Sequence, residues 1–408
     1  MSFTRRTILF GTAAGASTMA LPHLAAAQQA PGVTANEIKI GSTNALSGPA
    51  SSYSVISRCL EAMFKRLNDQ GGVGGKRVNF IVYDDGYSPP RTLEQTRRLV
   101  EQDRVSFLFN SLGTPTQSAV HRYMNQRRVP QLFLATGADK WANPQEFPWT
   151  MGWQPSYRTE AQIYTKFIQE QKADAKIGIL YQNDDFGRDY VNGVRDVMGA
   201  RFDANTRLVS HEATDPTIDS QIVTLQASGV DALICGIIPR FAAQAIRRVH
   251  DIGWRPMFFM SNVSISGSVV MQPAGPEKGV GLVTSDYRKD YSDPAWANDP
   301  GMNEWREFMG RYMPEVSAAD LGDNNYIYGY GVATTMIQAL RQCGQDFSRE
   351  NIMRQAASLA PMDIATLLPG VKVSTSATNF HPIRHMQLQR WDGRSWVRFG
   401  NVIEGANV

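Results

Sequence analysis

The stretch VPQLFLATGA, residues 129–138, decides the reading of the fold. An apolar run from Leu132 to Leu134 flows straight into Ala135, Thr136, Gly137 and Ala138. A strand that only reversed at the surface would end in charged or Asn/Asp-Gly turn chemistry. Small residues and a single hydroxyl instead let backbone groups approach something closely. FNSLGTPT at 109–116 ends a second apolar run the same way, with Ser111, Gly113, Thr114 and Thr116, and LSGPASSY at 46–53 is a third such end, holding Ser47 and Tyr53. Capping by Ser and Thr would explain any one of these loops. Three at neighbouring strand ends point to a shared, anion-friendly rim.

Outward from that stretch the chain alternates strand and helix. Ile38–Ile40 reads as a strand, followed by a helical face of Leu60, Met63, Phe64 and Leu67 and a break at GGVGG, 71–75. VNFIVYDD, a helix through Leu93–Val100, VSFLFN, a helix over Thr116–Gln126 and PQLFLA follow. Four strands separated by three helices predict a parallel sheet with helices on both faces. The rhythm restarts after residue 157 with KIGILYQ, RLVSHE, DALICGII, MFFM and GVGLVTS as strands, and helices over Gly187–Met198, Ile218–Ala227 and Phe241–Asp251 between them. The last third differs: Met302, Trp305, Phe308, Met309 and Tyr312 form one helical face, a long helix runs to about Gln342, another lies near Ile352, and MQLQRWDGRSWVRFG reads as a hairpin across Asp392-Gly393. Such a block fits a chain that crosses between two lobes more than once.

Composition narrows the function. At 408 residues the chain exceeds one hydrophobic core, and 42% hydrophobic with 19% charged residues is ordinary globular composition. The net charge of +3 offers no footprint for nucleic acid or an anionic membrane. Residues 1–27, with Arg5-Arg6, an apolar middle from Ile8 to Leu21 and Ala25-Ala26-Ala27, have the layout of an export signal, either twin-arginine or general secretory. This predicts an exported, periplasmic, soluble protein. Cys59, Cys235 and Cys343 are too few and too scattered for a disulfide framework or a zinc site; buried free thiols are expected, with a single bridge as the other option.

IKIGSTNALSGPASSY, LNDQGGVGGKRV, YDDGYSPPRTLEQTRRLVEQDRV, SLGTPTQSAV, PQLFLATGA, KIGILYQNDDFGRDY and QRWDGRSW, in this order and spacing, make the chain resemble the type I periplasmic binding proteins, in particular their leucine/isoleucine/valine-binding branch. The resemblance covers essentially the whole chain after the signal. It implies two doubly wound α/β lobes joined by three crossovers, here near residues 157, 287 and 379. Lobe 1 would be 36–156 plus 288–378, and lobe 2 would be 157–287 plus 379–408. The ligand would lie in the cleft between them. Position by position it puts Gly113 and Thr114, then Gly137, Ala138 and Asp139, at a ligand carboxylate and Tyr53 on an aromatic wall. Phe186 and Ile237 fall where the family has tyrosines, and Val263, beside Asn262, falls where it has an ammonium-binding glutamate. The α-ammonium of an amino acid needs an acidic partner in a closed cleft. Asp139 either supplies it from the other lobe or caps the turn that follows. Without it, the changed positions suit a carboxylate with an apolar or aromatic body, and relatives that take benzoate- and phenylpropanoid-type acids make this plausible by resemblance.

The resemblance implies a receptor delivering a small carboxylate to the permease and ATPase subunits of an ABC importer, monomeric and without cofactor or metal. A sensory module on the same fold is the alternative. No catalytic set emerges. Asp84-Asp85 and Asp184-Asp185 read as strand-end turns, and His121, His211, His381 and His385 have no nucleophile motif nearby. Trp141, Trp149 and Trp153 are expected at the lobe surface and the first crossover.

Overall fold

The computed structural model describes Met1 and residues 30–405, so the expected export signal lies outside the described residues apart from Met1. The first sheet is built from β1 (Glu37–Asn44), β2 (Arg77–Asp84), β3 (Phe107–Phe109), β4 (Gln131–Leu134) and β5 (Thr150–Gly152). Its helices are α1 (Ser54–Asp69), α2 (Pro89–Arg97) and α3 (Thr114–Gln126). The strands are parallel in the order β2-β1-β3-β4-β5. All residues of β3 and β4 are buried, as expected for strands covered on both faces. β5 is an addition to the four expected strands. Three residues are too few to carry a periodic signal, and the register against β4 shifts beside Phe133, whose φ is 52°.

The chain then crosses to a second lobe. α4 (Tyr157–Gln171) leads to β6 (Ile177–Gln182), α5 (Asp185–Met198), a one-turn α6 (Phe202–Asn205) and β7 (Thr206–His211). α7 (Asp219–Ala227), β8 (Ala232–Gly236), α8 (Pro239–Asp251), β9 (Met257–Met260), a one-turn α9 (Gln272–Ala274) and β10 (Val283–Asp286) complete the alternation. α10 (Pro300–Tyr312), α11 (Asn324–Gln342) and α12 (Arg349–Ala356) return to the first lobe. There Cys59 Sγ on α1 reaches Tyr326 O at 3.3 Å, and a Cβ on Gly329 would stand 2.8 Å from the Cys59 Cβ. Finally β11 (His385–Trp391) and β12 (Trp396–Glu404) add to β10 as an antiparallel hairpin. The second sheet is ordered β12-β11-β10-β9-β8-β6-β7.

Both sheets therefore carry the same parallel order, with a reversal between β1 and β3 in one and between β6 and β8 in the other. At such a switch point the flanking loops diverge and leave a crevice outside the carboxyl ends of the strands. The three passages of the chain between the sheets set the two crevices face to face.

The tryptophans correct the sequence reading. Trp141 is buried, not at the surface, Trp149 is half-buried, and Trp153, next to the first crossover, is buried as well. Trp153 donates its indole N–H to Thr335 Oγ1 at 3.0 Å and packs edge-on against Tyr328, 5.1 Å between ring centres.

Candidate ligand-binding cleft

Loops from both switch points close on one cavity of about 40 Å³. From the first lobe come Tyr53, Ile56, Tyr87, Leu112, Gly113, Thr114 and Ala135. The second lobe adds Phe186, Ile238 and Val263, and the chain between the lobes adds Gln154, Tyr157 and Arg288. Asn325 and Tyr328, on returning helix α11, complete the wall. Gly113 is fixed by geometry: its φ is +100°, and a Cβ there would lie 2.5 Å from the Tyr87 ring. Because α3 starts at Thr114, its unpaired first-turn N–H groups and positive dipole end abut the cavity.

The charge pattern is one-sided. Among the described residues that line the cavity, Arg288 is the one cation, and none is Asp or Glu. Arg288 donates from Nε to Asp286 Oδ1 at 2.8 Å and from Nη2 to Asp286 Oδ2 and Asn262 O, both at 3.0 Å. Among the described residues, no partner meets its third nitrogen, Nη1. Burial pulls the guanidinium down, and the neighbouring Asp286 carboxylate more than offsets this, so Arg288 stays firmly cationic. Burial holds the hydroxyls of Tyr53, Tyr87, Tyr157 and Tyr328 above the usual tyrosine range, so the aromatic wall is neutral.

Several contacts join the lobes. Tyr53 donates to Val263 O at 2.9 Å, and Gln182 Nε2 reaches the Tyr87 hydroxyl at 3.4 Å. Lys140 pairs with Asp185 at 3.0 Å, and the Asp139 N–H donates to Asp189 Oδ2 at 2.8 Å. Burial pushes the Asp189 carboxyl up to about 7.

The residues singled out from sequence divide into two groups. Tyr53, Gly113, Thr114, Phe186 and Val263 line the cavity. Ser47, Ser111, Thr136, Gly137, Ala138, Asp139, Ile237 and Asn262 do not. Ser47 is exposed and donates to Asp84 Oδ2 at 2.6 Å. Ser111 Oγ accepts from the Thr43 N–H, and the Thr136 hydroxyl meets that of Thr114 at 2.6 Å. Gly137 answers to the first crossover, because a Cβ there would lie 2.3 Å from Pro155 O. Ala138 is buried against Trp141, whose N–H bonds the Ala138 carbonyl at 3.2 Å. Asp139 has other partners: Oδ1 accepts from Ser156 Oγ at 3.0 Å, and Arg158 and His381 each lie 3.8 Å from the carboxylate. Ile237 is buried one residue before the lining Ile238. Asn262 holds Arg288 through its carbonyl and Glu160 through its amides.

Sequence reasoning missed Arg288, Tyr157 and Gln154 because they sit on crossovers, where strand and helix patterns stop. The cation in GLVTSDYRKD, closing a buried run, was the available signal for Arg288. The acidic pairs are turn residues. Asp84 Oδ1 accepts from the N–H groups of Leu46, Ser47 and Gly86, and Asp184 caps α5 by accepting from Phe186 and Gly187. Among the described residues no group of His, Cys, Asp and Glu is arranged to hold a metal ion, and Cys59, Cys235 and Cys343 are buried free thiols. No helix among them is long and apolar enough to cross a membrane.

A family model described as "Periplasmic binding protein" matches residues 37–395, so the chain belongs to that family. A leucine-specific-binding protein of Salmonella typhimurium is 23% identical over 368 residues, spanning 86% of this chain and 88% of that protein. Two solved structures share the fold. A fatty acid ABC transporter substrate-binding protein from Thermomonospora curvata gives a TM-score of 0.77 at 21% identity, covering 93% of this chain and 96% of that one. A branched chain amino acid ABC transporter from Thermus thermophilus with bound valine gives 0.79 at 15% identity, covering 91% and 97%.

Proposed function

We propose that this family member is the periplasmic receptor of an ABC importer and that its cleft takes a small carboxylate without an α-ammonium. The observation that carries the reading is the charge pattern of the cavity, with Arg288 Nη1 uncommitted and no acidic side chain in the wall. An ammonium enclosed there would have no anionic partner, at a cost of several kcal/mol. A carboxylate would instead meet the guanidinium, with the start of α3 on the same cavity. Asp139, committed to Ser156, Arg158 and His381, does not stand where it could replace the acidic group.

Size adds a constraint. On a scale where one water needs roughly 10–15 Å³, a 40 Å³ cavity holds only a few such groups. This closure favours a short aliphatic acid over an aromatic one, which needs the lobes to stand further apart. Closure around the ligand would present the form recognised by permease and ATPase subunits. In this reading lobe 1 is 36–156 plus 288–378, and lobe 2 is 157–287 plus 379–408.

The test is thermal shift of the purified protein against isobutyrate, isovalerate, benzoate, cinnamate, leucine and valine. A ligand that binds only the folded state raises Tm by mass action. Stabilisation by acids lacking an amino group is expected. Stabilisation by leucine or valine alone would overturn the reading.

A further inference from the structure

Glu160, on α4 behind the cavity, is fully buried and takes no part in the wall. Five donors converge on its carboxyl group. The hydroxyls of Tyr164 and Tyr190 donate to it, as do the Asn262 N–H at 2.8 Å, Asn262 Nδ2 at 2.7 Å and Ser285 Oγ at 3.3 Å. A carboxylate offers about four lone-pair sites, so its accepting capacity is filled. A buried acid is a poor device for stability alone, since a well-packed apolar group of similar size usually serves as well or better.

What the carboxyl group holds is the turn that follows β9. Two of its donors belong to Asn262, and Tyr190 also meets Ser261 Oγ at 2.6 Å. That turn makes two of the contacts that organise the cleft from the second lobe. The Asn262 carbonyl accepts from Arg288 Nη2 at 3.0 Å, and the Val263 carbonyl accepts from the Tyr53 hydroxyl of the facing lobe at 2.9 Å. We infer that Glu160 is a positioning residue, which fixes the Ser261–Val263 turn so that one carbonyl aims Arg288 and the next receives Tyr53 when the lobes meet. The inference rests on reading the cavity as the ligand site.

The test combines Glu160→Gln, Tyr53→Phe and the double variant. Glu160→Ala would strand several buried donors and threaten folding, so the isosteric change is the deciding one. Binding of isobutyrate and benzoate is measured by calorimetry, Tm alongside it, and lobe closure by small-angle X-ray scattering without any added acid. Each single variant is expected to weaken binding about fivefold, the size of one lost hydrogen bond. The double variant should be no weaker than the poorer single, because both changes break one chain of contacts. Tm of Glu160→Gln should not fall. Wild-type affinity in Glu160→Gln, multiplying losses in the double variant, or a loss that tracks a falling Tm would overturn the inference. If neither acid binds the wild type, the carboxylate reading fails and scattering alone decides this one. A larger radius of gyration in Glu160→Gln supports it, and an unchanged radius overturns it.

Discussion

Arg288 lines the cavity and grips Asp286 with two of its three nitrogens, at 2.8 and 3.0 Å, while its third meets no partner among the described residues. Both side chains are almost wholly buried, at 3% and 6% exposure, so removing either leaves the other without its ion-pair partner. Replacing Arg288 with Met leaves a buried, unpaired Asp286 and should cost about 3 kcal/mol in urea unfolding. Adding Asp286→Asn should recover part of that stability without restoring carboxylate binding. Arg288→Lys keeps the charge but loses the two-pronged geometry, and about a tenfold loss of isobutyrate affinity with a smaller stability change is expected. Unchanged affinity in Arg288→Lys would remove the guanidinium from the site.

Val263 borders the cavity with a side chain only half-buried, and the family resemblance puts an ammonium-binding glutamate at this position. Val263→Glu should lower Tm without ligand, since it places a carboxylate among apolar walls. Leucine should then raise Tm of the variant and leave the wild type unmoved, while isobutyrate should lose its effect. A variant indifferent to leucine would show that more than this position excludes amino acids.

Gly113 lies in left-handed backbone with the Tyr87 ring where a Cβ would go, and Tyr87 itself has a φ of 59°. Gly113→Ala should destabilise by about 1–3 kcal/mol and weaken carboxylate binding, because Tyr87 must move and the start of α3 with it. The same substitution at Gly344, also at positive φ but with nothing within 4 Å, should cost less and leave binding intact. Equal effects on binding would sink the site argument for Gly113.

Burial pushes the Glu160 carboxyl up to about 7 against the hydroxyl and amide donors that pull it down, and Asp189 likewise to about 7. The unfolded chain releases these protons near pH 4 to 4.5. Between those limits these two groups hold more protons in the folded protein than in the unfolded one, so their contribution to stability should fall as pH rises from about 5 to 7.5. Glu160→Gln should flatten part of this slope in urea unfolding measured at pH 5, 6, 7 and 8. A slope identical to wild type would mean Glu160 does not titrate in that range.

Much of the fold was legible because its signals are local. DALICGII announces a doubly covered strand, and β8 is buried at every residue. Residues 116–126 read as a helix, and α3 spans them. β5 was not legible, since three residues beside a register shift carry no period. In VPQLFLATGA only Ala135 reaches the cavity. Gly137 is small because Pro155, on the first crossover, passes against it, a contact between segments that no local pattern encodes.

The sequence by itself determined that two strand–helix alternations would form and that their small, hydroxyl-rich strand ends would flank a crevice. Those facts rest on side-chain period and residue chemistry, which act over a few residues. Only the tertiary structure decided which polar groups share the cavity. Arg288 faces it because Asp286 and Asn262 hold two of its nitrogens, and Asp139 leaves it because Ser156, Arg158 and His381 claim its carboxylate. A charged side chain goes where its partners are, and here the partners come from chain segments brought together only when the lobes fold and cross.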